Sequence, residues 1–329
     1  MSKQVVKNFY PRQLNHLYQA VAKQHLGSGG FADVNVYQCQ QVHKEQNNVC
    51  NKTFVVKQQR FGDIGCWNRQ DMEEKYSLFQ ESLLHEYEIG RRICHPNVIH
   101  TLDVDTETNS LILENVTGID MLDYLDKNGS SKVGVDLLKR FDRALCGLQY
   151  MHELGIAHMD IKLENILLDI DNDQVKLIDL GQAQVFVEQG EYQTSNKICG
   201  TEGYFPPEFY NRLYFFPDKV DIWCCGVVLY NLIFDRMPWG IAGKKDPIFT
   251  KCEWYFKANK IPPKCFDRKQ YQIPELTDKD AEIIDDIFLS VFNLSPKLRP
   301  DICELRNRLQ QLSIFEEQPN YINHVESSM

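Results

Sequence analysis

Residues 158–165 of the chain read HMDIKLEN, and three polar side chains in this stretch carry different functional groups. Asp160 supplies a carboxylate that can accept a proton from a hydroxyl group, and Lys162 supplies a cation that can stabilise developing negative charge. Asn165 supplies an amide oxygen, a ligand that Mg²⁺ accepts in proteins. The stretch therefore indicates a metal-assisted reaction at a hydroxyl group, provided that a second metal ligand lies nearby.

A second metal-ligand candidate follows further along the chain. Asp179 lies fourteen residues after Asn165 and opens the tripeptide Asp-Leu-Gly, just past the short buried strand predicted at 175–178. Its carboxylate can bind Mg²⁺, and Gly181 allows the chain to turn away sharply. An Asp-x-Gly tripeptide alone is common in turns. Its order and spacing after the first stretch are not common, and they strengthen the interpretation as a metal site.

Two features upstream are suited to binding phosphate groups. Residues 27–34 read GSGGFADV, and such glycines let a backbone bring its N–H groups close to phosphates, although a hairpin turn needs similar glycines. Lys57 ends a predicted apolar strand and can reach nucleotide phosphates if a carboxylate keeps it charged. We choose Glu86, on the helix predicted at 73–93, as that carboxylate and keep Glu88 as the alternative. From the sequence alone, Lys57 and Glu86 could equally form a solvent-exposed ion pair with no role in nucleotide binding.

Further motifs follow downstream in a recognisable order. Residues 199–208 read CGTEGYFPPE, residues 221–226 read DIWCCG, and residues 295–300 read SPKLRP. With the upstream motifs they follow the order of the protein kinase family, which the chain resembles over roughly residues 20–313. Ala32 stands where the last glycine of the family's glycine-rich loop is usual.

The resemblance implies that the cofactors are ATP and Mg²⁺. Asp160 would act as the catalytic base, Lys162 would steady the γ-phosphate, and Asn165 with Asp179 would hold the metal. The motif Asp-x-Lys-x-x-Asn resembles serine/threonine kinases, in which the hydroxyl of Thr201 would bridge Asp160 and Lys162. The implied partners are therefore ATP and a protein substrate with a serine or threonine acceptor.

The same resemblance implies a nucleotide site in which Lys57 and Glu86 orient ATP. The residues expected to contact or orient the nucleotide are Leu26, Gly27, Gly29, Gly30, Val34, Val55, Lys57, Glu86, Leu113, Glu114, Val116, Asp120 and Leu167. Among these, Leu113 would be the gatekeeper, and the backbone of residues 114–116 would meet adenine. Asp120 would contact the ribose. A buried pair of Glu208 with Arg299 would support the substrate-binding loop without acting in catalysis.

The order of the predicted elements indicates the α+β class. Short strands with one helix come first, and helices dominate later in the chain. The resemblance implies a two-lobed protein kinase fold, with a small antiparallel β-sheet lobe that contains one main helix, and a larger, mainly helical lobe. We expect an amino-terminal extension at 1–19, the small lobe at 20–112, a hinge at 113–120, the large lobe at 121–314 and a tail at 315–329.

Two departures from the family pattern bear on regulation. Met159 stands where most members have an arginine that meets a phosphorylated activation loop, so we expect activity without that phosphate, although Thr194 and Ser195 offer acceptors. Gly90 stands where a bulky apolar residue is usual and predicts a loosened helix, because glycine costs about 1 kcal/mol relative to alanine in a helix interior. The sequence around Gly90 and at 221–223 is similar to fungal kinases associated with the control of ion and nutrient transporters.

Composition and charge exclude several other functions. A net charge of −10 argues against a dominant nucleic-acid-binding surface. The amino terminus leads into no apolar signal segment, and the most apolar stretch, 222–234, is too short to span a bilayer. The 11 cysteines show no CxxC spacing, which favours reduced thiols over a disulfide scaffold. We expect a cytoplasmic protein, with the nucleus as an alternative, and neither nucleic acid nor a membrane span.

Two alternatives stay open from the sequence. A pseudokinase scaffold would keep this fold and bind nucleotide and partner proteins without phosphoryl transfer; Ala32, Met159 and Leu180 are atypical, although none of these side chains contacts phosphate in the family. The segment 60–80 is longer than the usual link before the main helix of the small lobe. It is either a mobile loop or a segment that docks on a regulatory partner or on the enzyme itself. Residues 200–208 argue against a small-molecule phosphotransferase, because they match a peptide-positioning segment.

Overall fold

A five-stranded antiparallel sheet forms the amino-terminal part of the structure. The computed structural model describes residues 19–28, 32–42, 49–59, 69–211 and 214–316. The sheet strands are β1 (Gln19–Ser28), β2 (Ala32–Val42), β3 (Val49–Gln59), β4 (Thr101–Asp105) and β5 (Ser110–Glu114). They lie in the order β1-β2-β3-β5-β4, and each neighbouring pair is antiparallel. The strands predicted for this part of the chain all lie in this sheet.

One long helix, α1 (Arg69–Gly90), lies between β3 and β4 in the chain and packs against β4 and β5. It begins before the predicted start at residue 73, because good helix formers already occur from Arg69 onward, and it ends at Gly90 rather than at residue 93. The predicted segment 60–80 is therefore not one long link, since residues 69–80 belong to α1. The remainder, 60–68, lies outside the described residues.

The carboxyl-terminal part is mainly helical. Its helices are α2 (Met121–Asn128), α3 (Ser130–Glu153), α4 (Pro217–Phe234), α5 (Pro247–Lys257), α6 (Asp278–Val291) and α7 (Ile302–Leu309). Helix α4 is apolar on almost every side and lies in the core, where Trp223 packs edge-to-face on Phe292. Among the helices in the described ranges, none combines the length and the apolar character needed to cross a membrane.

Short strands frame the polar segments of the large lobe. They are β6 (Ile119–Asp120), β7 (Ile156–Ala157), β8 (Ile166–Asp169), β9 (Gln174–Leu177), β10 (Gln184–Val185), β11 (Val187–Glu188) and β12 (Glu191–Tyr192). The segment 158–165 connects β7 to β8, and Asp179 follows shortly after β9. Strands β8 and β9 pair, and the Ile178 N–H donates to the Asn165 carbonyl at 3.0 Å. This pairing brings the two metal-ligand segments together.

The architecture is of the α+β class, with a small antiparallel sheet lobe that carries α1 and a larger, mainly helical lobe. This is the arrangement that the sequence predicted. Residues 115–118 join β5 to β6 and lie within the predicted hinge. The lobe boundaries themselves stay predictions.

The carboxyl end of α1 packs closely on β4. Gly90 is buried, and a Cβ atom built there would lie 2.0 Å from Oγ1 and 2.7 Å from Cβ of Thr101. Both distances are far below van der Waals contact, so this backbone position leaves no room for a side chain. Where the sequence predicted a loosened helix, the structure has a tightly packed helix end, because the missing side chain lets the helix approach the strand.

We expect Gly90→Ala to lower the melting temperature by several degrees. The added methyl group would overpack the contact with Thr101, and because its Cβ would lie only 2.0 Å from Oγ1, we expect a cost near the upper end of the usual range, about 3 kcal/mol. The gain in helix propensity is about 1 kcal/mol at most. Gly243→Ala is the matched control, because the atom nearest to its new Cβ lies at 3.6 Å. Thermal unfolding of the three proteins measures the effect. A Gly90→Ala protein that melts at or above the wild-type temperature would contradict this packing.

Candidate active site

A cleft of about 840 Å³ opens between the sheet and the helical lobe. Strands β1, β2, β3 and β5 line one side, and β8 with the residues after β9 lines the other. The predicted nucleotide and metal residues in its lining are Leu26, Val34, Val55, Lys57, Glu86, Leu113, Glu114, Val116, Asn165, Leu167 and Asp179. The fold therefore gathers into one cleft residues that lie far apart in the chain. A concave, mostly apolar site with a few convergent polar groups is suited to a small-molecule ligand.

The remaining residues predicted to contact the nucleotide are not part of the cleft lining among the described residues. Gly27 lies in β1 opposite Val34 of β2, whereas Gly29 and Gly30 lie outside the described residues. Asp120 is not part of the cleft lining; it caps α2, where its Oδ1 accepts the N–H of Asp123 at 2.8 Å. Aspartate is a preferred residue at this helix position, which gives Asp120 a local structural role. Its contact with a ribose stays a prediction.

Three charged side chains meet inside the cleft. The Lys57 ammonium donates to Glu86 Oε1 at 2.8 Å and to Asp179 Oδ1 at 2.7 Å. Burial alone would lower the pKa of Lys57, but the two carboxylates outweigh it and raise this pKa above its ordinary value. Burial acts against ionisation of Asp179, yet attraction to Lys57 prevails and its pKa is lowered. Lys57 and Asp179 are therefore both charged at neutral pH.

Glu86 is positioned by the burial of α1. Its carboxylate is almost fully buried, and burial is the main cause that raises its pKa. The neighbouring His85 donates through Nε2 to the Ala183 carbonyl at 2.8 Å, which ties α1 to the segment after Asp179. Glu88, the sequence alternative, is exposed and forms a surface ion pair with Arg91 at 3.3 Å. The partner of Lys57 in the structure is thus Glu86.

The segment 158–165 gathers a second cluster around Asp160. The Thr201 hydroxyl donates to Asp160 Oδ1 at 2.8 Å and accepts from Lys162 Nζ at 2.7 Å. Lys162 Nζ also lies 2.8 Å from Asp160 Oδ2. Asn165 donates its amide N–H groups to the carbonyl and Oδ2 of Asp160, at 2.8 and 3.0 Å. The carboxylate is fixed from three sides, and the Thr201 bridge expected from the sequence is present.

A buried carboxylate below this cluster fixes its backbone. Asp221 in α4 is fully buried; it accepts the N–H groups of His158 and Met159, each at 2.8 Å, and contacts His152 Nε2 at 2.8 Å. These bonds hold Met159 at φ +67°, a left-handed conformation that side chains rarely adopt. The sequence contained Asp221 as part of a motif but no signal of these hydrogen bonds.

The two residues expected to bind Mg²⁺ carry oxygen atoms of the kind that this ion prefers as ligands. Asn165 and Asp179 both line the cleft, and they supply an amide oxygen and a carboxylate. Mg²⁺ prefers such oxygen ligands and usually takes only one or two from the protein, with water and phosphate completing its shell. A Cβ atom on Gly181 would lie 3.2 Å from Asp179 Oδ1 and 3.2 Å from Glu86 Oε2, so glycine keeps this space open. These residues can therefore hold the metal beside a nucleotide phosphate.

A second buried ion pair lies beneath the segment 199–208. The Arg299 guanidinium donates two parallel hydrogen bonds to Glu208, each at 2.7 Å, and both side chains are essentially inaccessible. Arg299 also donates to the Lys219 carbonyl and stacks at 4.8 Å on the ring of Trp223. The pair lies apart from the cleft lining, in keeping with the supporting role that the family resemblance implies.

Sequence reasoning missed two polar features of the cleft. The Glu114 carboxylate pairs with Lys176 at 2.7 Å and accepts the N–H of His100 at 2.8 Å, which occupies its side chain at the hinge. Thr101 also lines the cleft, and its hydroxyl is buried without a hydrogen-bond partner. A lysine within an apolar strand, as Lys176 is, could have indicated a buried partner of opposite charge. No feature of the sequence around Thr101 indicated that it lines the cleft.

We expect Asp221→Asn to destabilise the large lobe and lower its melting temperature. Asparagine offers one acceptor oxygen in place of two, so at least one of the donors on His158, Met159 and His152 loses its partner, at a cost of about 1–3 kcal/mol. Asp235→Asn is the matched control, because Asp235 follows the same helix at φ +55°, which asparagine also adopts. Thermal unfolding should separate the two variants. Equal melting temperatures would show that Asp221 does not anchor this segment.

Comparison with known proteins agrees with this geometry. Residues 20–309 match the family described as protein kinase domain. Serine/threonine-protein kinase HAL4/SAT4 of Saccharomyces cerevisiae is 31% identical over 243 residues, which cover 71% of this chain and 38% of that protein. Serine/threonine-protein kinase ppk8 of Schizosaccharomyces pombe is 36% identical over 50% of this chain and 32% of its own length. Serine/threonine-protein kinase hal4 of the same yeast is 28% identical over 67% of this chain and 33% of its own length.

The matched region thus spans about a third of the length of these relatives. Two of the three pairs have more than 30% identity, and all three relatives come from yeasts, in line with the expected similarity to fungal kinases. The family match covers nearly all of the described residues, including both lobes and the cleft. The chain belongs to the protein kinase family.

Proposed function

We propose that the protein transfers the γ-phosphoryl group of ATP to a serine or threonine hydroxyl of a protein, with Mg²⁺ as cofactor. The observation that carries this proposal is the cluster around Asp160, where Lys162 and Thr201 fix the carboxylate beside Asn165, one of the two metal-ligand candidates. The names of the yeast relatives, which are serine/threonine-protein kinases, support the same substrate class.

The cleft residues would bind and orient the nucleotide. Val34, Val55 and Leu167 supply apolar walls for the adenine ring, and the backbone after β5 supplies hydrogen-bonding groups at its edge. Lys57 is charged and pre-oriented by Glu86, so its ammonium can contact the α- and β-phosphates without a large rearrangement. In the structure, the Lys57 ammonium also donates a hydrogen bond to the Asp179 carboxylate.

Asp160 would act on the acceptor hydroxyl. Its carboxylate can accept the hydroxyl proton, while Lys162 beside it stabilises the negative charge that develops on the transferred group. Mg²⁺, held by Asn165 and Asp179, would neutralise phosphate charge during the transfer. Thr201 fixes the distance between Asp160 and Lys162, so both groups can face the same reacting centre.

The pseudokinase alternative has less support. Of the groups that act through their side chains in the family, Lys57, Asn165 and Asp179 line one cleft, and Asp160 is hydrogen-bonded to Asn165 at 3.0 Å. The atypical Leu180 is buried as a packing residue, so its change from the commoner phenylalanine does not remove a polar group. A scaffold would not need this arrangement, whereas phosphoryl transfer does.

We also propose that the active arrangement does not need a phosphate on the activation segment, residues 179–208. Ser195 and Phe215 exchange two backbone hydrogen bonds, at 3.0 and 2.8 Å, which hold the segment against the large lobe. The Gln184 amide donates to the Lys197 carbonyl at 2.9 Å. Met159, which replaces the usual phosphate-binding arginine, is buried among apolar groups. Backbone and amide contacts thus help to hold a segment that an arginine–phosphate pair holds in other kinases.

Three wider attributes are proposals from the sequence. The first is a location in the cytoplasm or the nucleus. The second is action on pathways that control transporters, which the resemblance to fungal kinases implies. The third is a regulatory partner that binds near residues 60–80. The amino-terminal half of α1 offers Leu78, exposed by 58%, as an apolar contact for such a partner.

We expect purified protein to phosphorylate serine or threonine peptides from an arrayed library in the presence of labelled ATP and Mg²⁺. Asp179→Asn should abolish the transfer, and Glu86→Gln should reduce kcat/KM by about tenfold or more, because Lys57 loses a charged partner. Glu88→Gln is the matched control on the same helix and should leave the rate unchanged, since Glu88 pairs only at the surface. ATP binding without peptide transfer by the wild type would favour the scaffold.

We expect phosphatase treatment to leave the activity within about twofold of the untreated enzyme, because surface changes without loss of a buried contact have small effects. The variant Thr194→Ala with Ser195→Ala should behave in the same way, since the Ser195 contacts to Phe215 use backbone atoms. Initial rates with the best library peptide measure both. Loss of activity after either treatment would show that an activation-segment phosphate is required.

A further inference from the structure

Helix α5 of the large lobe presents a tryptophan to solvent. Trp254 is 65% exposed, although folded proteins bury most of the surface of their tryptophans, and Trp223 and Trp239 are buried in the core. The apolar face of α5 packs inward, because Phe249 and Cys252 on that face are buried. Trp254 lies on the opposite face of the helix and is not part of the hydrophobic core.

Positive charge surrounds this tryptophan. Residues 244–264 contain six lysines and two acidic residues, in a chain whose net charge is −10. Lys251 lies about one helical turn before Trp254 and is exposed, so the two side chains are neighbours on the outer face of α5. Lys244 and Lys245 lie directly before α5 and are exposed as well. We call Trp254 with these three lysines the α5 surface.

The acidic residues nearby have other partners. Asp246 accepts four backbone N–H groups at the amino end of α5, at distances from 2.8 to 3.2 Å. Glu253 pairs with Lys257 at 2.9 Å. Within the described part of the chain, no carboxylate forms an ion pair with the three lysines of the α5 surface. Their charges are therefore available to an acidic partner.

The α5 surface lies beside the segment that would position a substrate peptide, residues 199–208. A Cβ atom on Gly203 of this segment would lie 4.0 Å from the carbonyl oxygen of Gly240. A Cβ atom on Gly243 would lie 3.7 Å from the ring of Tyr210, just after the segment. The chain from Gly240 to Gly243 leads directly into the α5 surface. A protein bound at the segment can therefore reach this surface with residues outside its acceptor site.

We infer that the α5 surface docks an acidic segment of the protein substrate, with an apolar side chain of that segment packed on Trp254. This inference rests on the proposed function, because it identifies the partner as the substrate of that reaction. An aromatic side chain surrounded by charged groups is typical of the binding hot spots of protein–protein interfaces. The lysines make the surface complementary to an acidic segment and speed its association.

The outer face of α5 is better suited to a protein than to a membrane. A helix that binds at a membrane interface inserts a continuous apolar face, whereas the apolar face of α5 is packed on the core. The neighbours of Trp254 one turn away on the outer face are Thr250, Lys251, Lys257 and Ala258. None of these is a large apolar residue, so a membrane would bury little more than the tryptophan itself.

The first test measures binding and does not depend on phosphoryl transfer. The full chain is probed with an arrayed library of acidic peptides without Ser or Thr, in which a single Leu or Phe occupies each position in turn. We expect some of these peptides to bind, and Trp254→Ala to raise their Kd about tenfold. Lys251→Glu should have a similar effect, and the binding should weaken as salt is added. Absence of binding, or binding that both variants leave unchanged, would overturn the inference.

Two exposed positions on other segments supply matched controls. Leu298, exposed by 69%, tests the loss of an apolar surface group, and Lys139, exposed on α3, tests the same change of net charge. Leu298→Ala and Lys139→Glu should keep the Kd within about twofold of the wild type. Thermal unfolding checks that each variant is folded. Phosphatidylserine vesicles that bind the wild type more tightly than every acidic peptide would overturn the inference in favour of a membrane surface.

The second test asks whether docking serves the reaction. The best acceptor peptide is joined to the best acidic peptide through Gly/Ser linkers of several lengths, in both orders. We expect at least one fusion to have a KM about tenfold below that of the acceptor peptide alone, and Trp254→Ala to remove this gain without a change in kcat. Leu298→Ala should keep the gain.

The outcomes of the two tests distinguish the inference from the proposed function. Phosphorylation of the acceptor peptide with no gain in any fusion would overturn the inference and leave the proposed function intact. Binding of acidic peptides that depends on Trp254, in a protein that transfers no phosphoryl group, would contradict the proposed function and the assignment to a substrate. It would still support the α5 surface as a docking site for acidic segments.

Discussion

The buried carboxylate of Asp221 holds the backbone on which the reactive groups depend. A charge without solvent contact is tolerated only when hydrogen bonds replace its hydration, and here two backbone N–H groups and His152 do so. Because both backbone donors immediately precede Asp160, the core helix α4 determines where that carboxylate lies. The left-handed conformation of Met159 is the local cost of this constraint. Asp160 is thus placed by the core of the large lobe and then fixed by its own neighbours.

On the small-lobe side of the cleft, the Lys57 ammonium holds several elements in position, as Asp221 does in the large lobe. It comes from β3 and contacts Glu86 on α1 and Asp179 from the large lobe, so one cation connects three separate elements. The site is complete only when all three elements are in place, which couples the position of α1 to the competence of the cleft. The bond from His85 to the Ala183 carbonyl and the close packing of Gly90 on Thr101 hold the same helix at two further points.

Much of the fold and of the site could be predicted because the informative residues are local in sequence. The strand and helix order, the segment 158–165 and Asp179 required only short patterns and their spacing. The start of α1 and the length of the link before it were predicted less well, since helix formers extend beyond the apolar pattern that marked the helix. Gly90 was interpreted from its helix propensity alone, whereas its effect depends on Thr101, a residue of another element.

The sequence by itself determined which chemical groups the chain carries and in which order, and this order was sufficient to indicate the family and its chemistry. Only the tertiary structure decided which groups meet: that Lys57 pairs with Glu86 and not Glu88, that Glu114 pairs with Lys176, and that Asp120 caps a helix. Such pairings depend on how helices and strands pack in three dimensions, and neither periodicity nor spacing along one chain specifies that packing.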